Sequence, residues 1–222
     1  MRVVSLVPSA TESLVDLGVE PIAVTRFCDR PGVPTIGGTK DPDVAAITAL
    51  EPDLVVCCVE ENRREDADAL VAAGIDIHVI DIRTVADVRP SMAALADAVG
   101  APAPRVRISS PARITRRAFV PIWRRPWMSM AADTYGSSVL AHLGVANVLA
   151  GVDDRYPQVD LADVVALGPD VVIAPDEPYP FGPRHEAELA TVAPVRFVDG
   201  RDLFWWGTRT PAALERLARA LA

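Results

Sequence analysis

One segment of this chain is written twice. Asp43-Val44-Ala45-Ala46-Ile47-Thr48-Ala49-Leu50-Glu51-Pro52-Asp53-Leu54-Val55-Val56 lies over Asp160-Leu161-Ala162-Asp163-Val164-Val165-Ala166-Leu167-Gly168-Pro169-Asp170-Val171-Val172-Ile173. Each copy reads as an apolar-periodic helix, a Pro-Asp turn and a buried strand, a unit that cannot bury its own apolar faces without neighbours of the same kind. Upstream, Leu17-Gly18-Val19 answers Leu143-Gly144-Val145, each placing glycine where a helix ends in a left-handed residue. Downstream, Ala73-Gly74-Ile75-Asp76-Ile77 is answered more loosely by Val192-Ala193-Pro194-Val195. The repeat commits the chain to two similar α/β lobes.

Short runs of β-branched and apolar residues predict strands at 3–7, 21–25, 53–58, 77–80, 119–123, 170–174 and 195–198, alternating with longer helical patterns. Most of these runs are apolar without alternation, as in parallel strands covered on both faces. The fold class is therefore α/β, two Rossmann-like lobes with mostly parallel sheets. The division expected is an N-terminal lobe over 1–89, a connector over 90–117 and a C-terminal lobe over 118–222. Within the connector, 91–99 reads as helical and Gly100 ends it; beyond, Pro102, Pro104 and Pro111 forbid a continuous helix.

Composition narrows the function classes. With 22 Lys+Arg against 30 Asp+Glu the 222 residues carry a formal charge of −8, so a nucleic-acid-binding surface is not expected. Cys28, Cys57 and Cys58 are too few and too oddly spaced for a disulfide framework. No window of about 18 apolar residues occurs, so no embedded segment is expected. The apolar run before Pro8 is too short for a signal-peptide core. As written the chain reads as cytoplasmic; an upstream start would make it extracytoplasmic.

The aromatics are the informative residues for function. Of twelve, only Phe27 precedes the connector. Several lie in Pro-rich or Gly-rich loops after predicted strands: Trp123-Arg124-Arg125-Pro126-Trp127, Glu177-Pro178-Tyr179-Pro180-Phe181 and Phe204-Trp205-Trp206-Gly207. Ligands of open α/β sheets bind outside the carboxyl ends of the strands, and large rings there suit a flat or bulky apolar ligand; the plainer reading is that the rings pack the lobe's own loops. The matching first-half loop, Val59-Glu60-Glu61-Asn62-Arg63-Arg64-Glu65, is polar, and Asn62 can cap the helix that follows. Against it stand Asp176, Glu177, His185 and Arg209.

Side-chain metal ligation has little support: His78, His142 and His185 are far apart, leaving His185 and Cys28 as candidates for a direct ligand contact. No nucleophile elbow, Walker loop or dinucleotide fingerprint is present, and Gly37-Gly38-Thr39-Lys40 followed by Asp41-Pro42 reads as a turn. An enzyme is not expected.

The opening Arg2-Val3-Val4-Ser5-Leu6-Val7-Pro8-Ser9-Ala10-Thr11-Glu12, the Gly37-Gly38-Thr39-Lys40-Asp41-Pro42-Asp43 loop, both Leu-x-Pro-Asp segments and Glu60-Glu61-Asn62-Arg63-Arg64-Glu65 resemble the helical-backbone metal receptors. These class III substrate-binding proteins serve cobalamin, haem and ferric siderophore importers. The likeness spans nearly the whole chain and is nearest the cobalamin-binding branch, whose loops are similar to Arg155-Tyr156-Pro157 and Glu177-Pro178-Tyr179-Pro180-Phe181.

The resemblance implies a ligand cleft between two lobes joined by a helix, here shortened or broken by prolines. It implies a non-catalytic receptor for a metal-chelate small molecule, with an ABC permease as partner and no required cofactor. Carried over by residue, the ligand-binding set is Ser9, Cys28, Glu61 and Asn62 from the first lobe. From the second it is Trp127, Tyr156, Tyr179, Phe181, Trp205 and Trp206; the polar groups read above add Glu177, His185 and Arg209 to the ligand-binding set, and metal ligands are not assigned. The alternative is a degenerate receptor serving as a cytoplasmic protein-interaction module.

Overall fold

The computed structural model describes residues 1–110 and 114–222. Two compact units emerge: Met1–Ile82, Ala86–Val106 and Trp206–Thr208 form the first; Arg83–Val85, Arg107–Trp205 and Arg209–Ala222 form the second.

In the first unit β1 (Val3–Ser5), α1 (Pro8–Asp16), β2 (Ala23–Val24), α2 (Val44–Ala49), β3 (Leu54–Cys58), α3 (Arg64–Ala72), β4 (Ile77–Ile80) and α4 (Val85–Ala98, whose first residue belongs to the second unit) follow one another. The second carries β5 (Arg116–Phe119), α5 (Tyr135–His142), β6 (Val145–Asn147), α6 (Leu161–Ala166), β7 (Val171–Pro175), a 3₁₀ turn over Pro183–His185, α7 (Glu186–Leu189), β8 (Val195–Val198), α8 (Gly200–Phe204) and α9 (Thr210–Leu221). Each sheet has four strands, all parallel, in the orders β2-β1-β3-β4 and β6-β5-β7-β8. The two orders are the same pattern, so the sequence repeat is a repeat of topology.

The repeat also carries one hydrogen-bonding device in duplicate. In the first unit the Arg2 guanidinium donates to the Leu50 carbonyl at the end of α2 at 2.7 Å, and the Arg2 amide donates to the Asp53 carboxylate at 2.5 Å. In the second, Arg117 donates to the Leu167 carbonyl after α6 at 2.6 Å, and its amide donates to Asp170 at 2.7 Å. The aspartates of the Pro-Asp turns thus tie the start of the first strand to the turn before the third, while the arginines satisfy carbonyls that a helix end leaves orphaned. Asp43 and Asp160 cap the amino ends of α2 and α6 by accepting from Ala46 and Ala162.

This device explains a displaced strand. The second unit's first strand is Arg116–Phe119, where the sequence reading gives 119–123. Arg116 and Arg117 look like loop residues because their side chains are polar, yet Arg117 is recruited to the clasp; Pro121 then removes a ladder donor just where the apolar run continues. β6 is three residues long and escapes the strand pattern. α4 starts six residues before 91, runs through Pro90 and ends at Ala98, with Gly100 at φ +69°. No regular element occupies 101–110, and Pro111 lies outside the described residues.

Phe119, Leu149, Val164, Val172, Ala174, Phe181, Leu189 and Ala193 form the core cluster of the second unit. Val3, Val4, Leu14, Val55, Val56, Leu70 and Leu95 are buried in the first. Among the described residues no helix is long and apolar enough to cross a membrane.

Candidate functional site

In both sheets the chain winds one way from the first strand and the other way from the third, so the topological switch point lies between β1 and β3 and between β5 and β7. The loops leaving those strands carry most of the sequence candidates.

In the first unit, β1 runs into Leu6-Val7-Pro8 and α1, with Pro8 in the first turn and Ser9 buried in it. Thr11 donates to Ser5 Oγ at 2.8 Å and contacts Cys28 Sγ at 3.2 Å, and Thr25 lies 3.3 Å from the same sulfur. Cys28 is therefore half-buried against two threonine hydroxyls. Asn62 does not cap α3, whose N-cap is Arg63. Its carboxamide instead accepts from the Cys58 amide at 2.8 Å and donates to the Thr39 carbonyl at 2.9 Å, bridging the end of β3 to the Gly37–Asp43 loop. Lys40 reinforces that bridge through the Glu60 carbonyl at 2.8 Å. The loop is the tight turn expected: Gly37 has φ +88°, and a Cβ there would lie 2.4 Å from the Asp41 carbonyl oxygen. Glu61 is half-exposed beside Cys58; burial and then the Glu61 charge push the Cys58 thiol up to about 12, and burial takes Cys57 to about 11. Both thiols stay protonated at neutral pH and are poor nucleophiles and ligands.

The second unit gathers rings. Trp127 stacks on Phe181 at 5.9 Å and 6°, Tyr179 tilts onto Phe181 at 4.7 Å, and Trp123 meets Tyr179 edge-on at 5.5 Å. Phe181 is 4% exposed and belongs to the core cluster, whereas Trp123 is 45% exposed. The array is a graded stack, with Phe181 as the foundation, Trp127 and Tyr179 half-buried above it and Trp123 outermost. Ladder bonds hold the 123–128 loop as a small hairpin: Ile122 and Met128 pair across it, and Val159 donates to the Trp127 carbonyl at 3.0 Å. Arg124 fixes the hairpin to α7 through Glu188 at 2.8 Å and lies over Trp127 at 5.8 Å.

His185 is 5% exposed beneath Tyr179 and Phe181, its Nδ1 accepting from the Gly182 amide at 3.2 Å. Burial, then Arg184 and Arg124, hold its pKa below the usual histidine value. It is a neutral supporting ring in the interior, as is Phe181.

A second group surrounds Trp205. The Arg201 and Arg209 guanidiniums lie over its ring at 4.9 and 5.4 Å, and Arg201 Nε lies 4.0 Å from Glu177 Oε2. Arg209 is tied to Asp202 at 3.1 Å, and Arg216 to the same carboxylate at 2.6 and 2.7 Å. Tyr156 stands under Arg155 at 5.6 Å.

The structure thus brings together Trp127, Tyr179, Phe181 and His185, and separately Glu177, Trp205 and Arg209. It corrects the placement of Trp206, which belongs to the first unit and is 4% exposed there; the chain passes from one unit to the other between two adjacent tryptophans. Trp123, the most exposed ring of the stack, is absent from the sequence-derived set although its loop is in view. Among the described residues no cluster of three or more His, Cys, Asp or Glu could hold a metal ion.

No family model matches the chain. It is 23% identical over 191 aligned positions, 78% of this chain and 71% of the relative, to a vitamin B12-binding protein of Salmonella paratyphi A. It is 23% identical over 235 aligned positions, 96% and 85%, to a vitamin B12-binding protein of Vibrio cholerae serotype O1. Among solved structures, the periplasmic vitamin B12 binding protein BtuF of Vibrio cholerae matches with a TM-score of 0.80 at 20% identity, covering 99% of this chain and 96% of that one. The periplasmic heme-binding protein BhuT, in complex with two hemes, matches with a TM-score of 0.81 at 20% identity, covering 100% and 99%. The resemblance to class III substrate-binding proteins therefore holds in sequence, where these relatives are vitamin B12-binding proteins, and in fold, which the vitamin B12-binding and heme-binding structures share alike. These relatives are named as binding proteins, and the two solved structures as periplasmic ones; nothing in their names supports a cytoplasmic residence or an interaction module.

Proposed function

We propose that this chain, built on the two-lobed plan of the class III substrate-binding proteins, is a non-catalytic receptor for a flat metal chelate of the cobalamin or haem type. It acts outside the cytoplasm and hands its ligand to an ABC permease. The observation that carries this reading is the graded ring stack at the β5–β7 switch point. An outer tryptophan standing on a half-buried tyrosine and a buried phenylalanine is a rigid apolar platform with a wet edge, suited to the face of a macrocycle. The vitamin B12 and heme proteins among its relatives and neighbours support the ligand class. The inert thiols and the absence of a three-residue metal cluster among the described residues favour a ligand that arrives with its metal already chelated.

The test is titration of the purified chain with cyanocobalamin, haemin and a ferric hydroxamate while indole fluorescence is followed. At least one ligand quenches saturably, and Trp123→Ala or Tyr179→Ala weakens it about tenfold or more, the equivalent of roughly 1.4 kcal/mol. Glu61→Gln costs less. Fluorescence unchanged by all three at high micromolar concentration sinks the reading.

A further inference from the structure

One carboxylate oxygen in the second unit serves two guanidiniums. Asp133 Oδ2 accepts from Arg83 Nη1 at 2.8 Å and lies 3.3 Å from Arg155 Nε, which also donates to the Asp133 carbonyl at 2.7 Å. Each of the three residues sits on anchored backbone. Asp133 stands in the turn before α5, where the Thr134 hydroxyl donates to the Ala131 carbonyl at 2.8 Å and caps the helix by accepting from the Ser137 amide. Arg83 is two residues from the Val85 amide, which donates to Ser138 Oγ of α5 at 3.0 Å. Arg155 ends an antiparallel ladder: Val159 donates to the Trp127 carbonyl, Ser129 to that of Pro157 and Ala131 to that of Arg155, with Met128 and Gln158 paired between them. The ladder also sets the reach from the arginines to the ring stack. Trp127 at one end and Arg155 at the other are four residue pairs apart, about 13 Å at roughly 3.4 Å per residue. That length is comparable with one tetrapyrrole and its peripheral side chains.

We propose that Arg83 and Arg155 form a carboxylate clamp whose built-in occupant is Asp133, and that a carboxylate on the rim of the ligand displaces it, so that the site selects a carboxylated macrocycle over an amide-fringed one. This rests on the receptor reading above and narrows it. Both arginines meet the same Asp133 oxygen, so neither forms the two parallel bonds that make an arginine–carboxylate pair strong. A ligand carboxylate brings two oxygens to the same two cations, whereas a neutral amide brings one uncharged acceptor. The Asp133 side chain is 55% exposed, so the pairs it gives up contribute little to the fold. A macrocycle already resting on the rings presents its carboxylate at a high effective concentration, which favours the exchange. The chain's charge of −8 repels anions at long range, so a preference for a carboxylate has to come from cations placed locally. Arg155 is placed in this way, its guanidinium lying over the Tyr156 ring at 5.6 Å.

The experiment follows indole fluorescence of the purified chain during titration with haemin, haemin dimethyl ester and cyanocobalamin. The ester has the macrocycle and iron of haemin without its carboxylates, and cyanocobalamin is fringed with amides. In the wild type haemin binds about tenfold or more tightly than the ester, and raising the salt from 50 to 500 mM narrows the gap. Arg83→Gln and Arg155→Gln each weaken haemin about tenfold and leave the ester and cyanocobalamin within twofold. Asp133→Asn strengthens haemin several-fold, because the competing carboxylate is gone, and leaves the ester unchanged. The opposite signs separate a clamp from a structural ion pair, whose loss from either side moves all three ligands together. Equal affinity for haemin and the ester, arginine variants that bind haemin as the wild type does, or weaker haemin binding in Asp133→Asn overturns the proposal. If Arg155→Gln does not fold, Arg83→Gln decides. A chain quenched by cyanocobalamin or the ester with no preference for haemin refutes the clamp alone; a chain quenched by none of the three refutes the receptor reading and the clamp with it.

Discussion

Neutralising Asp202 tests how much of the second unit's stability is electrostatic. Its carboxylate is 4% exposed and takes Arg209 at 3.1 Å and Arg216 at 2.6 and 2.7 Å. Arg209 is itself only 13% exposed, whereas Arg216 is 44% exposed. Asp202→Asn keeps the shape but takes from Arg209 and Arg216 the carboxylate they share, a change that costs roughly 3–5 kcal/mol when both partners are fully enclosed. Since Arg216 reaches water and relaxes, the low end applies, about 3 kcal/mol. For a chain of this length roughly 2–4 °C is lost per kcal/mol, so the melting transition falls by about 6–12 °C. Arg216→Ala removes a half-exposed partner and leaves the inner pair intact, worth about 1 kcal/mol at most. The assay is thermal melting followed by circular dichroism and indole fluorescence, supported by urea titration. An Asp202→Asn protein that melts within about 1 °C of the parent refutes the reasoning, as does one less destabilised than Arg216→Ala.

Two further outcomes follow from the backbone and from His185. Glu51 sits at φ +44° where the repeat places Gly168 at φ +64°. A side chain in that region costs about 1–2 kcal/mol and glycine's extra freedom returns about half of it, so Glu51→Gly is neutral or stabilising by up to ~1 kcal/mol. Gly168→Glu loses about 1 kcal/mol or more although nothing lies within 4 Å of its Cβ position; equal effects of the two changes on urea midpoints would contradict the assignment. His185 has a folded-state pKa below its unfolded value, so the unfolded chain binds the proton first and stability is lost as pH falls from about 6.5 through the lower folded value. His185→Gln reduces the slope of urea midpoint against pH in that window; His78, shifted the same way by burial, supplies the part that remains.

The fold was legible where the sequence repeats itself and illegible where one residue serves two structures. Two copies of a helix, a Pro-Asp turn and a strand were enough to anticipate two sheets, and both sheets share one strand order. The β5 boundary was misplaced because Arg117 spends its polarity on carbonyls at the end of α6, a use that polarity alone cannot reveal. At the site, Tyr179-Pro180-Phe181 reads as two equivalent rings, yet Phe181 enters the core and Tyr179 stays half-buried above it; residues two apart share a face of an extended segment, so no local pattern separates them. Asn62 looks like a cap because capping is its commonest local use, while its partner, the Thr39 carbonyl, lies 23 residues away. Trp205 and Trp206 look like one patch, and no local pattern announces that the chain changes units between them.

That change of unit has a consequence for how the protein is made. The first unit includes Trp206–Thr208, with Trp206 buried, the Thr208 hydroxyl donating to Asp16 at 2.5 Å, and Gly207 so near Ser13 that a Cβ would lie 2.1 Å from its hydroxyl oxygen. During synthesis from the amino end, the first sheet and its helices emerge long before this segment does. The first unit must wait, with a tryptophan-sized share of its interior open, until the segment 206–208 has left the ribosome. Its last stitch comes only after every strand of the second unit has been made, so the half that is begun first is completed late, with α9 of the other unit still to follow.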